Sequence, residues 1–297
     1  MTVDLHLHSL YSDGSATPAQ LAELGARQGL CAIALTDHDT MAGVAETITH
    51  GHRLGLTVIP GIELNATHRD LSLHILGYHI DTASSELQQW LVPLQQGRQE
   101  RNAKIIAKMQ QLGLNVHAEE LRAISPQGQT GRPHIARLLL NKGIVDSLGQ
   151  AFHQYLRRGG AAWFSRFAYS AADCIAMIHR AGGLAVLAHP GQLDPDGRTL
   201  PLLVAELVER GLDGLEVYYP AHPAEIQRRL LALARKYTLV VTGGSDYHGK
   251  NRSMSAMAGG DCRFAPPDTI LQALTERLAS SAQADTGKRP ASAAGGS

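Results

Sequence analysis

Short apolar runs in this chain are repeatedly closed, or interrupted, by a residue that can ligate a metal. Leu5-His6-Leu7-His8 opens the pattern, and Asp13 follows on the next loop. Asp37-His38-Asp39 follows Cys31-Ala32-Ile33-Ala34-Leu35, and Glu63 follows Val58-Ile59-Pro60-Gly61-Ile62. His74 sits inside Leu71-Ser72-Leu73-His74-Ile75-Leu76, and His189 ends Leu184-Ala185-Val186-Leu187-Ala188. Asp246-Tyr247-His248 follows Leu239-Val240-Val241-Thr242-Gly243-Gly244. Apolar runs of this length between turn residues read as buried strands. Ligand-type residues at the ends of several strands point to one shared site at a barrel mouth.

His6 and His8 are two apart on a strand, so their side chains share a face and can chelate one ion. Any one of these histidines alone would pass as an ordinary polar residue. Together with the carboxylates they are hard to bury without a cation, because unpaired buried charge is costly. Mixed imidazole and carboxylate ligands suit manganese, iron or zinc. His50, His52, His68, His79, His117, His153 and His179 lie off the pattern.

Alternation of strand-like and helix-like segments runs from Met1 to about Ile80 and resumes near Ser170. It predicts an α/β fold with a mostly parallel sheet, open or closed. Thr17-Pro18-Ala19-Gln20 predicts a capped helix start, with Leu21 and Leu24 on its apolar stripe. Between the two alternating parts, helical spacing dominates, as in Ile105-Ile106, Met109 and Leu112. The expected organisation is a discontinuous barrel (1–81 and 166–278), a mainly helical substrate domain (82–165) and a disordered tail (279–297), which is rich in Ala, Ser and Gly. Lys plus Arg and Asp plus Glu balance at 27 each, which argues against a long nucleic-acid surface but leaves room for a local anion pocket. Three scattered cysteines form no CxxC pair and suggest a reducing compartment. The opening segment carries Asp4 and two histidines rather than a secretory pattern, and no apolar stretch is long enough for a membrane span; a cytoplasmic protein is expected.

Gly131-Arg132-Pro133-His134 is the sharpest feature of the middle segment. Arg132 could bind a phosphate bidentately, and His134 could hydrogen-bond phosphate or protonate a leaving oxygen. The same four residues also read as a plain helix start with Pro133 at its first position. Tyr155-Leu156-Arg157-Arg158-Gly159 offers further cationic donors, or a solvated turn. Arg98 and Arg101 are expected on an exposed helix face. Tyr218, Tyr219 and His222 follow a strand end where a nucleotide could touch them, with Glu216 a candidate partner of a ligand histidine.

His6-Leu7-His8-Ser9, Asp13-Gly14, Thr36-Asp37-His38-Asp39, Gly61-Ile62-Glu63, Ala188-His189-Pro190 and Ser245-Asp246-Tyr247-His248 resemble the motifs of the PHP (polymerase and histidinol phosphatase) family. The resemblance implies a distorted (β/α)7 TIM-like barrel that holds three divalent metals, with manganese expected and iron or zinc as alternatives. It implies that His6, His8, Glu63 and Asp246 hold one metal, that Glu63 bridges to a second held by His74 and His189, and that Asp13, His38 and His248 hold the third. A hydroxide shared between metals would attack a phosphoryl group in line, with Asp246 as ligand and proton acceptor.

The helical insertion with Arg-Pro-His and a Tyr-Leu-x-Arg-Gly turn is similar to one PHP subfamily, which includes nucleoside 3′,5′-bisphosphate phosphatases and 5′→3′ exoribonucleases. That likeness implies Asp246, Glu63 and His134 in catalysis, and Arg132, His134, Arg158 and His222 against the substrate. The expected activity is removal of the 3′-phosphate from nucleotides such as 3′-phosphoadenosine 5′-phosphate, giving AMP. The alternative is an exoribonuclease on short 5′-phosphorylated RNA; histidinol phosphate hydrolysis and a non-catalytic metal-stabilised binding module follow further behind. Gly160 departs from the subfamily pattern, where a basic residue often follows the turn. The expected partners are a small nucleotide or short RNA and no membrane.

Overall fold

The computed structural model describes residues 1–125, 128–251, 256–260 and 264–286. The first half runs β1 (Thr2–Leu7), α1 (Pro18–Arg27), β2 (Leu30–Leu35), α2 (Val44–Arg53), β3 (Thr57–His68) and β4 (Leu71–Tyr78). A helical stretch follows: α3 (Ser85–Gln111), α4 (Ala118–Ile124), α5 (Arg132–Asn141), α6 (Leu148–Ala151) and a π-helical turn, Phe152–Leu156. The second half comprises β5 (Tyr169–Ser170), α7 (Ala171–Arg180), β6 (Leu184–Leu187), α8 (Pro190–Leu193), α9 (Leu200–Glu209), β7 (Gly214–Tyr218), α10 (Ala224–Tyr237), β8 (Val240–Gly243) and α11 (Thr269–Thr286). Helix α1 begins as its residues require: Thr17 Oγ1 accepts from Gln20 N, and the Gln20 side chain returns to Thr17 N.

The strands form one sheet in the order β1-β2-β3-β4-β6-β7-β8, with the short β5 paired to β3. Pairing is parallel except where β4 runs antiparallel to both β3 and β6. The ends meet: His8 N donates to Tyr247 O at 3.0 Å and Tyr247 N to His6 O at 3.3 Å, just beyond β8. That return closes the sheet into a barrel.

Alternation along the strands sorts the core. Val3, Ala32, Ala34, Leu76, Tyr78, Leu184 and Val186 fill the interior, with Ile270 and Leu274 of α11 packed onto them. Ile33 and Leu35 face α1 and α2, while Leu73, Ile75, Ala185 and Leu187 face α7 and α9. The β1–β2 register breaks between Asp4 and Leu7, where Asp4 stands opposite Ile33 and Leu7 opposite Leu35. One extra residue on β1 is a bulge, and a bulge re-aims side chains. Leu7 therefore still faces outward, while His6 and His8 turn to the mouth of the barrel. The helical stretch has its own core of Ile105, Ile106, Met109, Leu121, Ile135, Leu139 and Leu156.

The expected disordered tail is corrected in part. Helix α11 continues to Thr286, well past Ala279, and only residues 287–297 of that segment lie outside the described ones. Alanine has the highest helix propensity, and Ser280 and Ser281 return their hydroxyls to the carbonyls of Glu276 and Arg277.

Asp213 anchors α11 and α7 to the barrel floor. It accepts from Ala185 N at 2.9 Å, pairs with His179 Nε2 at 2.7 Å, and receives both Nε and Nη2 of Arg277. Burial alone would raise its pKa, but these partners hold it below the usual carboxylate value. A depressed folded-state pKa gives stability that is complete above about pH 4 and is lost as pH falls through the folded value. Asp213→Asn should therefore lower unfolding free energy by roughly 1.5–3 kcal/mol at pH 7. In urea titrations that deficit should shrink as pH is lowered below about 4.

Candidate metal centre

The ligand-type residues converge at one mouth of the barrel, from the C-terminal ends of parallel strands and, for Glu63 and His74, from within β3 and the antiparallel β4. Three of them sit at non-glycine positions with positive φ: Asp39 (54°), His189 (30°) and Asp246 (54°). Such a conformation is strained for a side-chain residue and persists only where surrounding contacts over-determine it. Asp39 is held by Asn65 N at 3.1 Å and by the Nη atoms of Arg98 and Arg166, each 2.8 Å from Oδ2. The His189 amide donates to Glu216 Oε2 at 2.7 Å. Asp246 Oδ2 accepts from the Tyr219 hydroxyl at 2.9 Å.

Glu63 lies at the centre. Its Oε1 is 2.7 Å from His74 Nδ1 and 3.2 Å from His189 Nε2. Its Oε2 is 2.9 Å from His38 Nδ1, 3.3 Å from His8 Nε2 and 3.4 Å from His6 Nε2. Asp246 Oδ1 is 3.3 Å from both His8 Nε2 and His248 Nδ1, and Asp13 Oδ1 is 3.1 Å from His248 Nε2. Ligand atoms of three groups lie within 4.8 Å of one another: His8, Asp13, His38 and His248; His6, His8 and Glu63; His38, Glu63 and His74.

The residues fit divalent cations on an observation independent of resemblance. His6 Nε2, His8 Nε2, His38 Nδ1 and Glu63 Oε2 are buried and close, yet none makes a hydrogen bond of acceptable geometry. Donors and acceptors that crowd without bonding are arranged around shared points, as lone pairs around an ion are. Partners outside the cluster fix their aim. Glu216 Oε1 takes His6 Nδ1 at 2.9 Å, so Nε2 faces the centre. Asp37 accepts from Ser9 N at 2.7 Å and Ser12 Oγ at 2.6 Å, which holds the loop that carries Asp13. Asp4, pushed up to about 6 by burial, accepts from Ser245 N at 2.8 Å and anchors the loop before Asp246.

The electrostatics show the same demand for positive charge. Burial opposes protonation of His8, but Asp246 and Glu63 outweigh it and push the imidazole up to about 10. Asp13 and Glu63 are held well below the carboxylate range against burial by neighbouring imidazoles, with His38 the strongest of them. His38 itself is pushed down to about 4 by burial.

A cavity of about 530 Å³ opens on this cluster. Asp13, His38, Glu63, His74, His189, Asp246 and His248 line one side. Arg98, Arg101, Arg132 and Arg166 line the other. The expectation that Arg98 and Arg101 are solvent-exposed is corrected: both are buried, because their side of α3 packs against the barrel mouth. Arg101 is pushed down to about 8, by burial first and then by the guanidiniums of Arg98, Arg166 and Arg132. Arg101 Nη2, Arg98 Nε and Asn65 Nδ2 are buried donors with no partner among the described residues. Arg166 and Asn65 were missed from sequence. The Asn65 signal was available, since it lies two residues beyond Glu63 on the same strand face.

Other expected site residues are placed as follows. Arg132 lines the cavity and donates to Leu156 O at 3.3 Å. His134 is buried, and its Nδ1 accepts from Gly131 N at 3.0 Å; burial lowers its pKa. The ring is therefore neutral at pH 7, with its proton on Nε2. Arg158 is not brought to the cavity: it is exposed, because the turn after the π-helical segment points it to solvent. His222 is not a substrate contact either. Its Nδ1 bonds Val217 O at 2.9 Å and its Nε2 accepts from Gly191 N at 3.1 Å, so both nitrogens are committed to backbone. Gly160 has a steric cause, since a Cβ there would lie 2.7 Å from the Tyr155 carbonyl.

The PHP domain profile matches residues 4–181. The chain belongs to the PHP domain family. Curated relatives include a 3′,5′-nucleoside bisphosphate phosphatase of Chromobacterium violaceum, 31% identical over 83% of this chain and 87% of the relative. A phosphoribosyl 1,2-cyclic phosphate 1,2-diphosphodiesterase of Eggerthella lenta is 34% identical over 84% of this chain and 95% of its own. The 5′-3′ exoribonuclease Rnm of Escherichia coli is 32% identical over 82% and 84%. Among solved structures, a protein of Bifidobacterium adolescentis, provisionally described as a metal-dependent phosphoesterase, superposes with a TM-score of 0.84 at 29% identity, covering 93% of this chain and 96% of that one. This PHP protein is a metal-dependent phosphoester hydrolase. No helix among the described residues is long and apolar enough to cross a membrane.

If Glu216 aims His6, as its position in the PHP site indicates, Glu216→Gln should weaken metal affinity by about 10- to 100-fold. Calorimetric titration of the metal-stripped variant with manganese, beside wild type, measures that directly. Unchanged affinity would remove Glu216 from the metal centre's support.

Proposed function

We propose that this protein removes the 3′-phosphate from nucleoside 3′,5′-bisphosphates, with His6, His8, Asp13, His38, Glu63, His74, His189, Asp246 and His248 holding three divalent metals, manganese(II) foremost. One observation carries the reading: a single cavity joins the ligand cluster to four arginines, Arg98 and Arg101 buried and Arg132 and Arg166 half-buried. Two of the four guanidiniums, those of Arg98 and Arg166, share one carboxylate, Asp39, which leaves the group short of negative charge and ready for a second anion. A substrate with two phosphates on one small scaffold satisfies both ends. The relative named as a bisphosphate phosphatase supports the same choice.

Divalent cations bound there would supply an activated water and neutralise charge on the scissile phosphoryl group. The chain's own groups do the rest. Arg98, Arg101, Arg132 and Arg166 grip the distal phosphate and fix the reacting phosphoryl against the cluster. Asn65 Nδ2 donates to a phosphoryl oxygen from beside Glu63. Neutral His134, with Nδ1 occupied by the Gly131 amide, donates from Nε2 towards the leaving oxygen. Asp246, held by Tyr219, keeps one oxygen for the cluster and accepts the proton released by the water.

The relatives named as exoribonucleases favour a second reading, cleavage of short RNA from a 5′-phosphorylated end, since the same arginines would hold that phosphate. Manganese-loaded protein should release phosphate from 3′-phosphoadenosine 5′-phosphate and leave AMP. Faster shortening of 5′-phosphorylated RNA on a denaturing gel, with no phosphate release from the bisphosphate, would replace the first reading by the second. Arg101→Ala should raise KM for the bisphosphate by roughly 10- to 100-fold, the effect of losing a charged hydrogen bond.

A further inference from the structure

Part of the cavity wall is of a different character. Leu148, Gly149 and Phe152 line the cavity from α6 and the π-helical turn that follows, and Pro133 lines it from α5. Positions 148 and 152 are one helical turn apart and share a face, with 149 beside them. The turn from Phe152 to Leu156 is π-helical, a departure that recurs at functional sites. Its capping bond, from Arg157 N to Phe152 O, fixes the residue's backbone.

Gly149 is the second, independent observation. Glycine inside a helix costs roughly 1 kcal/mol relative to alanine, so its use needs a cause. Its φ is not positive, so the backbone does not require it. A Cβ at Gly149 would meet only Ser147 Oγ, at 3.9 Å, so packing does not require it either. At Gly160, by contrast, the Tyr155 backbone excludes a Cβ. The missing side chain at Gly149 therefore keeps cavity space open, and that space is bounded by an aromatic ring, a leucine and a proline.

We propose that Leu148, Gly149, Phe152 and Pro133 form the nucleobase subsite, a flat apolar slot that binds any base by stacking and shape. The proposal rests on the bisphosphate reading above, which places a nucleoside between the two phosphate-binding ends of the cavity. The slot itself contributes no side-chain hydrogen-bonding group. Two amides of the cavity lining are engaged elsewhere: Gln192 Nε2 donates to the Tyr219 hydroxyl, and Asn251 Nδ2 donates to Asp13 O at 3.0 Å. A slot of this chemistry discriminates a base from no base, and barely one base from another.

The experiment compares adenosine 3′,5′-bisphosphate with its abasic tetrahydrofuran analogue in kcat/KM. AMP is compared with the abasic 5′-phosphate in Kd, by calorimetry. Wild-type protein should favour each nucleotide by roughly tenfold or more, the usual effect of one stacked base. Guanosine and uridine counterparts should fall within a few fold of adenosine. In Gly149→Leu, which fills the slot, the preference for a base should collapse to about one, and Phe152→Ala should reduce it in the same direction. Circular dichroism and metal content establish that each variant is folded. Equal handling of basic and abasic ligands by wild type, or an undiminished preference in folded Gly149→Leu, overturns the subsite. If AMP binds with the expected preference but no bisphosphate is hydrolysed, the slot stands and the phosphatase reading falls.

Discussion

Carboxylates and imidazoles crowded and buried at the barrel mouth set the terms for the rest of the structure. Glu63 touches five histidines while almost fully buried. Removing so many ionisable groups from water costs several kcal/mol per charge unless a counter-charge is present. Much local irregularity at this end of the fold serves that arrangement. A bulge in β1 turns His6 and, just past the strand, His8 inward, and left-handed residues lie at three positions that carry ligands or their supports. Buried Asp4, Asp37 and Glu216 spend their lone pairs on amides, hydroxyls and a ligand ring. The strain is tolerable because each strained residue is tied by contacts from other strands.

The helical stretch supplies opposite charge, and Asp39 couples the two. It follows His38 directly, its amide donates to Glu63 O at 3.0 Å, and its carboxylate holds Arg98 and Arg166. Burial works against its ionisation, but the two guanidiniums hold its pKa far below the carboxylate range. One residue thus fixes the spacing between a cation-demanding cluster and an anion-demanding one. The Gln95 and Gln129 side chains close on its carbonyl and tie α3 and the Arg132 loop to the same point.

What the sequence disclosed followed from periodicity. The strand ends were legible because alternating apolar runs stop at His, Asp or Glu, and a period of two tells which residues share a face. The first helix was legible from its capping box. The arginines were not. Arg98 and Arg101 lie on a long helix rich in Gln, Arg and Lys, where a cation ordinarily reads as solvated, and only the distant Asp39 and the barrel mouth bury that face. In sequence Arg158 groups with Arg132, because one dimension cannot say which side of a turn faces inward. His222 had the right residue type at a strand end, yet its two nitrogens brace the backbone at Val217 and Gly191. The end of α11 was lost for a simpler reason: Ala and Ser compose both linkers and helices, and the packing of Leu278 on the barrel core decides between them.

The balanced formal charge of the chain conceals this internal separation. Screening would erase charges of both signs scattered over a surface, since exposed pairs contribute little beyond a Debye length of about 8 Å in physiological salt. Inside a half-closed cavity the two groups keep more of their fields, because less bulk water lies between them to screen them. A monoanion would satisfy one end and leave the other exposed and uncompensated. A long polyanion would bring more charge than four arginines can meet, and the balanced formal charge of the chain offers no general excess of basic residues. On the proposed reading, the arrangement selects for two anionic groups held at one spacing on a small rigid body, before any specific contact to a sugar or base is made.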